Sequence, residues 1–482
     1  MRRTAVPLLA IGVLLLAGCT STSDEPEPSP TAGSPVSASS TPTSAPAAAA
    51  DDPVEDRVYP DVGDPGVDAL RYHLDLAWGP ESQTLTATET MTFRATSDAD
   101  QFQLDLGAPL EVGDLTVDGD RTAFDHDGKD LVVHQQVRED ERYTVRIGYS
   151  GTPQPVHAPS ERSDIEDLGW TVAKSGQVWT MQEPYGAYTW YAVNDQPSDK
   201  ALYSFRITSV PPAVGVANGT LLSRTEKDGA TVTRWRLSDP ASSYLVTIAI
   251  GDFTMTRDHA ASDLPMTYWT PTGRPDLVAR MRKAPAAVDW LESKLGPFPF
   301  DSLGYLVVDS KSGMETQTMI TLGDTRYATS PAVLVHEAAH QWYGDEVTPT
   351  DWRDVWMNEG MATYLQGVWT AEATHQSLDA MVDEWAAYDD QLRSQDGPPA
   401  DYRPESFGGG NVYYIPAVMW DELRKRIGDD EFWRLVREWP ASHAYGNAGY
   451  DDITAWWSEQ TGEDLTGFFD DWLMSDTTPD RG

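Results

Sequence analysis

The hydrophobic period of the chain changes once, near residue 270. Before that point short runs alternate apolar and polar side chains with a period of two. "TLTATETMTFRAT" at 84–96 is the clearest. "LVVHQQV", "RYTVRIGYS", "ALYSFRITSV", "TVTRWRLSD" and "YLVTIAIGDF" continue the pattern, with Gly, Asp and Pro between them. This predicts an all-β domain of antiparallel strands over 57–265. "PDLVARMRKAPAAVDWLESKLG" at 275–296 then has helical spacing and ends at Gly296, and "LGYLVVD" reads as a strand. After 330 most segments read helical, from "SPAVLVHEAAHQWYG" through "EGMATYLQGVWTAEA", "SLDAMVDEWAAYDDQL", "IPAVMWDELRKRIG" and "DEFWRLVREW" to "LTGFFDDWLM". A second, mostly helical domain is expected over 266–478. The sequence shows no convincing internal repeat.

A length of 482 residues implies more than one core, and 40% hydrophobic residues suffice to fill each. The 18 tryptophans fall mostly in the helical segments and read as core. The formal net charge of −41 argues against nucleic acid as a partner, which would need a basic surface. It reads first as a solubilising surface, and it would also attract cationic ligands such as peptides with free amines.

The start of the chain belongs to neither domain. "MRRTAVPLLAIGVLLLAGC" has Arg2 and Arg3, an apolar run from Ala5 to Leu16, and ends at Cys19, the single cysteine. This is the layout of a secretory signal, too short for a stable membrane span. Its end resembles a bacterial lipobox, which implies a signal peptide at 1–18, lipidation of Cys19 and an extracytoplasmic protein anchored to the cell membrane. With one cysteine the fold has no internal disulfide. Residues 19–56 are rich in Ser, Thr, Pro, Ala and acid, and read as a disordered tether.

Chemistry concentrates in "VLVHEAAHQW" at 333–342. On a helix from Ser330 to Gly344, capped by the Ser330 side chain, His336 and His340 share one face. Two neutral imidazoles at that spacing can hold one zinc ion, with Glu337 beside them as base. A third ligand leaves the fourth position for water. "DVWMNEGMATYLQ" offers Glu359, a carboxylate in an apolar stretch that needs a cation to be buried.

At this point the sequence resembles a family. "VLVHEAAHQWYGDEVTPTDWRDVWMNEGMATYL" is similar to the zinc core of the aminopeptidase N family, peptidase family M1. The resemblance spans about 57–478. It implies an antiparallel β saddle or sandwich followed by a thermolysin-like catalytic domain. It implies one Zn2+ per chain, held by His336, His340 and Glu359, with Glu337 as general base. "KSGMETQTM" resembles the family's Gly-x-Met-Glu-Asn strand, so Gly313 and Met314 would contact substrate and Glu315 would bind its α-amine. Ser312 and Thr316 depart from that pattern. "TMQEPYGAYTWYAVNDQPSDKALYSFRI" matches at Asp195-Gln196-Pro197 and Lys200-Ala201, and its register puts Glu183 at the other amine-binding position, without the family's usual Arg and Cys.

"GGGNVYYIPAVMW" puts Tyr413 at the position of the oxyanion donor, with Tyr414 as its rival. Ile415 and Pro416 replace the usual basic residue and Gly. Gln366, seven residues after Glu359, is a further candidate, as a partner for a ligand histidine. Many members of the family continue into a large helical domain that caps the active site. This chain stops before it, so a more open cleft is expected.

The expected function is that of a zinc aminopeptidase acting on peptides with a free N-terminus, as a monomer. An endopeptidase shares the chemistry but needs no amine anchor. A surface lipoprotein that binds peptides on a degenerate scaffold is the rival from another class. Lys311 and Met314 are candidates to border the pocket for the first residue, with Lys311 favouring acidic residues if it points in.

Overall fold

The alternating stretch at 84–96 forms the strand Thr84–Ala95, whose inner face is Leu85, Ala87, Met91, Phe93 and Ala95. One polar residue interrupts that face. Glu89 is buried, and its Oε2 accepts a hydrogen bond from the Ala192 backbone at 3.0 Å. The strand belongs to an eight-stranded sheet ordered 220–227, 230–242, 200–209, 67–79, 84–95, 142–151, 110–117 and 120–121. Every pair in it is antiparallel except Val67–Gly79 with Lys200–Ser209, which run parallel. A five-stranded sheet contains Val178–Met181, which leads directly into Glu183. The computed structural model describes residues 52–160, 162 and 165–481. The signal peptide, Cys19 and most of the tether lie outside them.

Residues 52–56, expected in the tether, are instead built into the fold. Asp56 is buried and accepts from the backbone N–H of Val58, Tyr59 and Trp352. Three donors aimed at one carboxylate order a segment whose composition alone reads as disordered. The boundary expected at 265 runs through another five-stranded sheet. Phe253–His259 and Pro265–Pro271 pair with each other and continue into Leu303–Val308, Met319–Gly323 and the edge strand Gly313–Met314. The β-rich and helical parts form one compact unit. Lys200 Nζ donates to the carbonyls of Asp345 and Glu346 at 2.9 and 3.1 Å, and Asn218 donates to that of Gln317.

Among the described residues the helices are α1 (Pro275–Met281), α2 (Ala284–Leu295), α3 (Pro331–Ala339), α4 (Trp356–Thr374), α5 (Leu378–Ala386), α6 (Asp389–Asp396), α7 (Gly410–Ile427), α8 (Asp429–Ser442), α9 (Tyr450–Thr461) and α10 (Thr466–Leu473). The helical run at 275–296 is therefore two helices. Pro285 lacks an N–H and crowds the preceding turn, so it opens a new helix. The helix expected to reach Gly344 closes at Ala339, although His340 keeps helical dihedrals. Ser330 caps it, its side chain accepting from Val333 N.

The contact of α4 with α7 fixes the position of Glu359. A Cβ added at Gly360 would lie 2.4 Å from the Pro416 side chain, so the two helices meet where one has no side chain and the other a compact ring. Pro416 sits inside α7 and turns that ring onto α4. Gly360→Ala is expected to force the helices apart and to destabilise the protein by about 1–3 kcal/mol, as over-packing of a close contact does. Urea denaturation of the variant and the parent measures this.

Candidate metal centre and active site

Six side chains from four segments converge in one buried pocket. His336 and Glu337 come from α3 and His340 from its C-cap, with the two imidazole centroids 4.8 Å apart. Glu359 comes from the first turn of α4. Its Oε2 lies 3.2 Å from His336 Nε2 and 3.4 Å from His340 Nε2. One ligand atom from each of the three falls within 4.8 Å of the others, close enough to share one metal ion. Glu183 and Glu315 form a second such group with the same Glu359. Glu359 therefore belongs to both clusters.

The donor set fits zinc. Two imidazole nitrogens and one carboxylate are the ligands of a site that keeps an open position. His340 Nδ1 donates to the Tyr343 carbonyl at 3.1 Å, which leaves Nε2 unprotonated and facing Glu359 in the neutral ring. Oε1 of Glu183 and Oε1 of Glu315 are buried without a hydrogen-bond partner among the described residues. Buried carboxylate oxygens left this way call for a cation.

Electrostatics agree. Burial, then the charges of Glu315 and Glu359, raise Glu183 well above the ordinary carboxylate range. Burial also raises Glu315. Burial, followed by Glu315, pushes Glu337 up to about 8. For His340 burial favours the neutral ring, but Glu315, Glu359 and Glu337 together outweigh it and hold the pKa well above its ordinary value. Burial would raise Glu359, yet the two histidines hold it below the usual range.

The second row of contacts explains how these groups are held. A Cβ at Gly313 would lie 2.2 Å from Glu337 Oε1, so any side chain there would displace the Glu337 carboxylate from its present position. Gly313–Met314 is the edge strand of its sheet, paired with Leu322 and Thr321 on one side. Gln341 donates to the Glu315 carbonyl at 2.9 Å and accepts from Thr318 N at 2.9 Å. Thr316, a departure from the family pattern, is buried, its hydroxyl bonded to the Met319 carbonyl and the Thr321 hydroxyl. Asp195 accepts from Gly186 N, Tyr188 N and the Ser243 hydroxyl, and so holds the turn that follows Glu183.

Tyr413, not Tyr414, reaches the cluster. The Tyr413 hydroxyl donates to Glu359 Oε1 at 3.0 Å, whereas the Tyr414 ring faces Trp385. Gln366 does not take the expected place. His340 Nδ1 is bonded to Tyr343, and His336 Nδ1 has no partner among the described residues. Seven residues along α4 is a rise of about 10 Å, too far for its amide. Lys311 is exposed at the bend before Gly313.

Sequence reasoning missed Arg162. It lies between the strands Val156–His157 and Asp167–Val172, and its Nη1 donates to the Tyr413 hydroxyl at 2.8 Å. It also missed Gln341, whose role needs the loop at 315–318 to be in place.

Comparison with known proteins shows the family. The family model for the peptidase family M1 domain matches residues 281–472, and that for the peptidase M1 N-terminal domain matches 68–245. Aminopeptidase N of Streptomyces lividans is 24% identical over 84% of this chain and 50% of its own length. Aminopeptidase M1 of Arabidopsis thaliana is 23% identical over 70% of this chain and 40% of its own. The chain thus spans about half the length, or less, of these curated relatives. The crystal structure of an M1 zinc metallopeptidase from Deinococcus radiodurans superposes with a TM-score of 0.78 at 23% identity, covering 89% of this chain and 98% of that one. A mutant of that enzyme bound to a Tyr-Ser-Ala substrate superposes with the same score.

A metal must displace the proton that the acidic surroundings hold on His340. Raising the pH removes that competitor, so zinc affinity is expected to rise with pH, with protons released on binding. Calorimetry in buffers of different ionisation enthalpy measures both.

Proposed function

Because the chain belongs to peptidase family M1, we propose that it is a zinc aminopeptidase that removes the first residue from peptides with a free N-terminus. The observation that carries this reading is the shared Glu359. The cluster able to hold a metal and the pair of carboxylates Glu183 and Glu315 meet at one residue. An α-ammonium held by that pair therefore puts the first peptide bond beside the metal position. The ammonium brings three donors and one positive charge, which suits two buried carboxylates with unpaired oxygens.

When bound by His336, His340 and Glu359, a zinc ion supplies Lewis acidity, which acidifies water and polarises a carbonyl. Glu337, buried on α3, accepts the proton of the attacking water and returns it to the departing amine. The Tyr413 hydroxyl donates to the oxygen that gains negative charge as the carbonyl carbon becomes tetrahedral. The open edge of Gly313–Met314 aligns the substrate backbone.

We also propose that the mature protein is tethered outside the cytoplasm by lipid on Cys19. The support is the basic, apolar and lipobox-like order of residues 1–19. Among the described residues no helix is long and apolar enough to cross a membrane. Cys19→Ser is expected to move the protein from the membrane fraction to the soluble or secreted one, read by fractionation.

The deciding experiment uses one peptide made twice, with a free and with an acetylated N-terminus, and products read by mass spectrometry. Stepwise shortening of the free copy alone, abolished by a zinc chelator, is expected. Glu337→Gln should lower kcat by about 10^3-fold, within the range for loss of a general base. Internal cleavage of both copies would make the protein an endopeptidase. Retention of full-length peptide by a protein that never cleaves it would favour the binding lipoprotein.

A further inference from the structure

Arg162 touches the proposed oxyanion donor. Its Nη1 lies 2.8 Å from the Tyr413 hydroxyl oxygen, and its guanidinium carbon is 5.9 Å from the centre of the Tyr413 ring. Gly408 lies against the same side chain: a Cβ there would meet Cδ and Nη1 of Arg162 at 3.2 Å. The absence of a side chain at Gly408 thus leaves room for Arg162. Position 415, where the family resemblance places a basic residue, is the buried Ile415. The positive charge beside Tyr413 therefore arrives from the β-rich part of the chain.

A guanidinium carries donors and no acceptor. The hydrogen bond between Arg162 and Tyr413 must therefore be given by Arg162 and received by the phenolic oxygen. The phenol has one proton, and that proton is then directed away from Arg162. In this structure it points to Glu359 Oε1, 3.0 Å away. The pair orients the donor before substrate arrives, and the residual charge of Arg162 stays one atom away from it.

We propose that Arg162 is a positioning residue for the hydrolysis: it fixes the direction of the Tyr413 hydroxyl proton and strengthens that hydroxyl as a donor to the developing oxyanion. No covalent bond is made or broken at Arg162, and the proton stays on Tyr413. This inference rests on the aminopeptidase reading. It carries a signature that a purely structural role lacks. A cation acting through Tyr413 favours the tetrahedral, anionic stage, whereas toward the substrate's ammonium, which has the same sign, it gives no attraction and competes for the charges of Glu183 and Glu315.

The test uses the zinc-loaded protein, as the parent and as Arg162→Met, Arg162→Lys, Tyr413→Phe and the Met/Phe double variant. Calorimetry compares a phosphinic pseudo-dipeptide, a tetrahedral anionic mimic, with a free amino acid, and steady-state kinetics runs beside it. Arg162→Met should weaken the mimic and lower kcat by about 10-fold to 100-fold, somewhat less than the loss of a whole oxyanion donor. KM should not rise and affinity for the amino acid should not fall, because the lost charge repels the ammonium rather than binding it. Arg162→Lys should recover part of the loss. In the Tyr413→Phe background the Arg162→Met change should cost less than about 3-fold, since the two act as one unit.

Additive losses in the double variant would overturn the proposal. So would a raised KM with unchanged kcat, which would mean that Arg162 binds substrate directly. A parent that cleaves peptides while Arg162→Met matches it would overturn the role of Arg162 and leave the aminopeptidase reading intact. A parent that binds neither compound and cleaves nothing would sink that reading, and the role of Arg162 with it.

Discussion

Four carboxylates share one buried pocket, and most of the architecture around them follows from that. Glu183, Glu315, Glu337 and Glu359 are each largely removed from water. Like charges at this range oppose one another's ionisation, and burial opposes each of them separately. The pocket balances this with cations. His340 is drawn toward its charged form by Glu315, Glu359 and Glu337. Arg162 approaches from the β-rich part, and an ion held by the two histidines and Glu359 would add the largest local charge. A pocket of this kind is costly without positive partners and selective for ligands that bring them.

Holding such a pocket together requires close contact more than strength. Glu337 is kept in place by the absence of a side chain at Gly313, and Glu359 by the absence of one at Gly360. The glutamates from outside the helices are fixed by their neighbours. Gln341 and Asn218 hold the segment at 315–318 by its backbone, and Asp195 gathers three donors to close the turn after Glu183. These are satisfied hydrogen bonds in a dry setting, where misplacement leaves a polar group unpaired.

The parts of this site that are local in sequence are legible in sequence. Helical spacing places His336 and His340 side by side whether α3 ends at Ala339 or later, because the C-cap still has helical dihedrals. Period-two alternation finds the large sheet, since one of its faces is buried. What depends on contacts distant in the chain is not legible. Nothing in "SERSDIED" singles out Arg162, because its meaning comes from Tyr413, far along the chain. Residues 52–56 read as tether because the donors that order Asp56 lie partly at Trp352. Gln366 fails for a simpler reason. Helical periodicity returns it to the face of Glu359 but two turns further along the axis. Resemblance supplied the pairing of Glu183 with Glu315, and the geometry brings both to Glu359.

The division of Glu359 between its two oxygens bears on how a substrate is chosen. Oε2 faces the two imidazoles and Oε1 receives the Tyr413 hydroxyl. On the proposed reading Oε2 stays with the metal position and the Tyr413 proton leaves Oε1 for the developing oxyanion, while the amine falls to Glu183 and Glu315, whose Oε1 atoms are unpaired. A peptide with a free amine neutralises them. One whose amine is blocked, or which must thread through as an internal segment, would bury the same two carboxylates with no cation beside them. On the proposed reading, selectivity for the N-terminus would come less from attraction to the right substrate than from the penalty on the wrong one. Sites that pair a buried polar group discriminate strongly against ligands that leave it unpaired, whereas apolar pockets discriminate weakly. The same crowding of acid that makes the pocket expensive is what would make it count residues from one end.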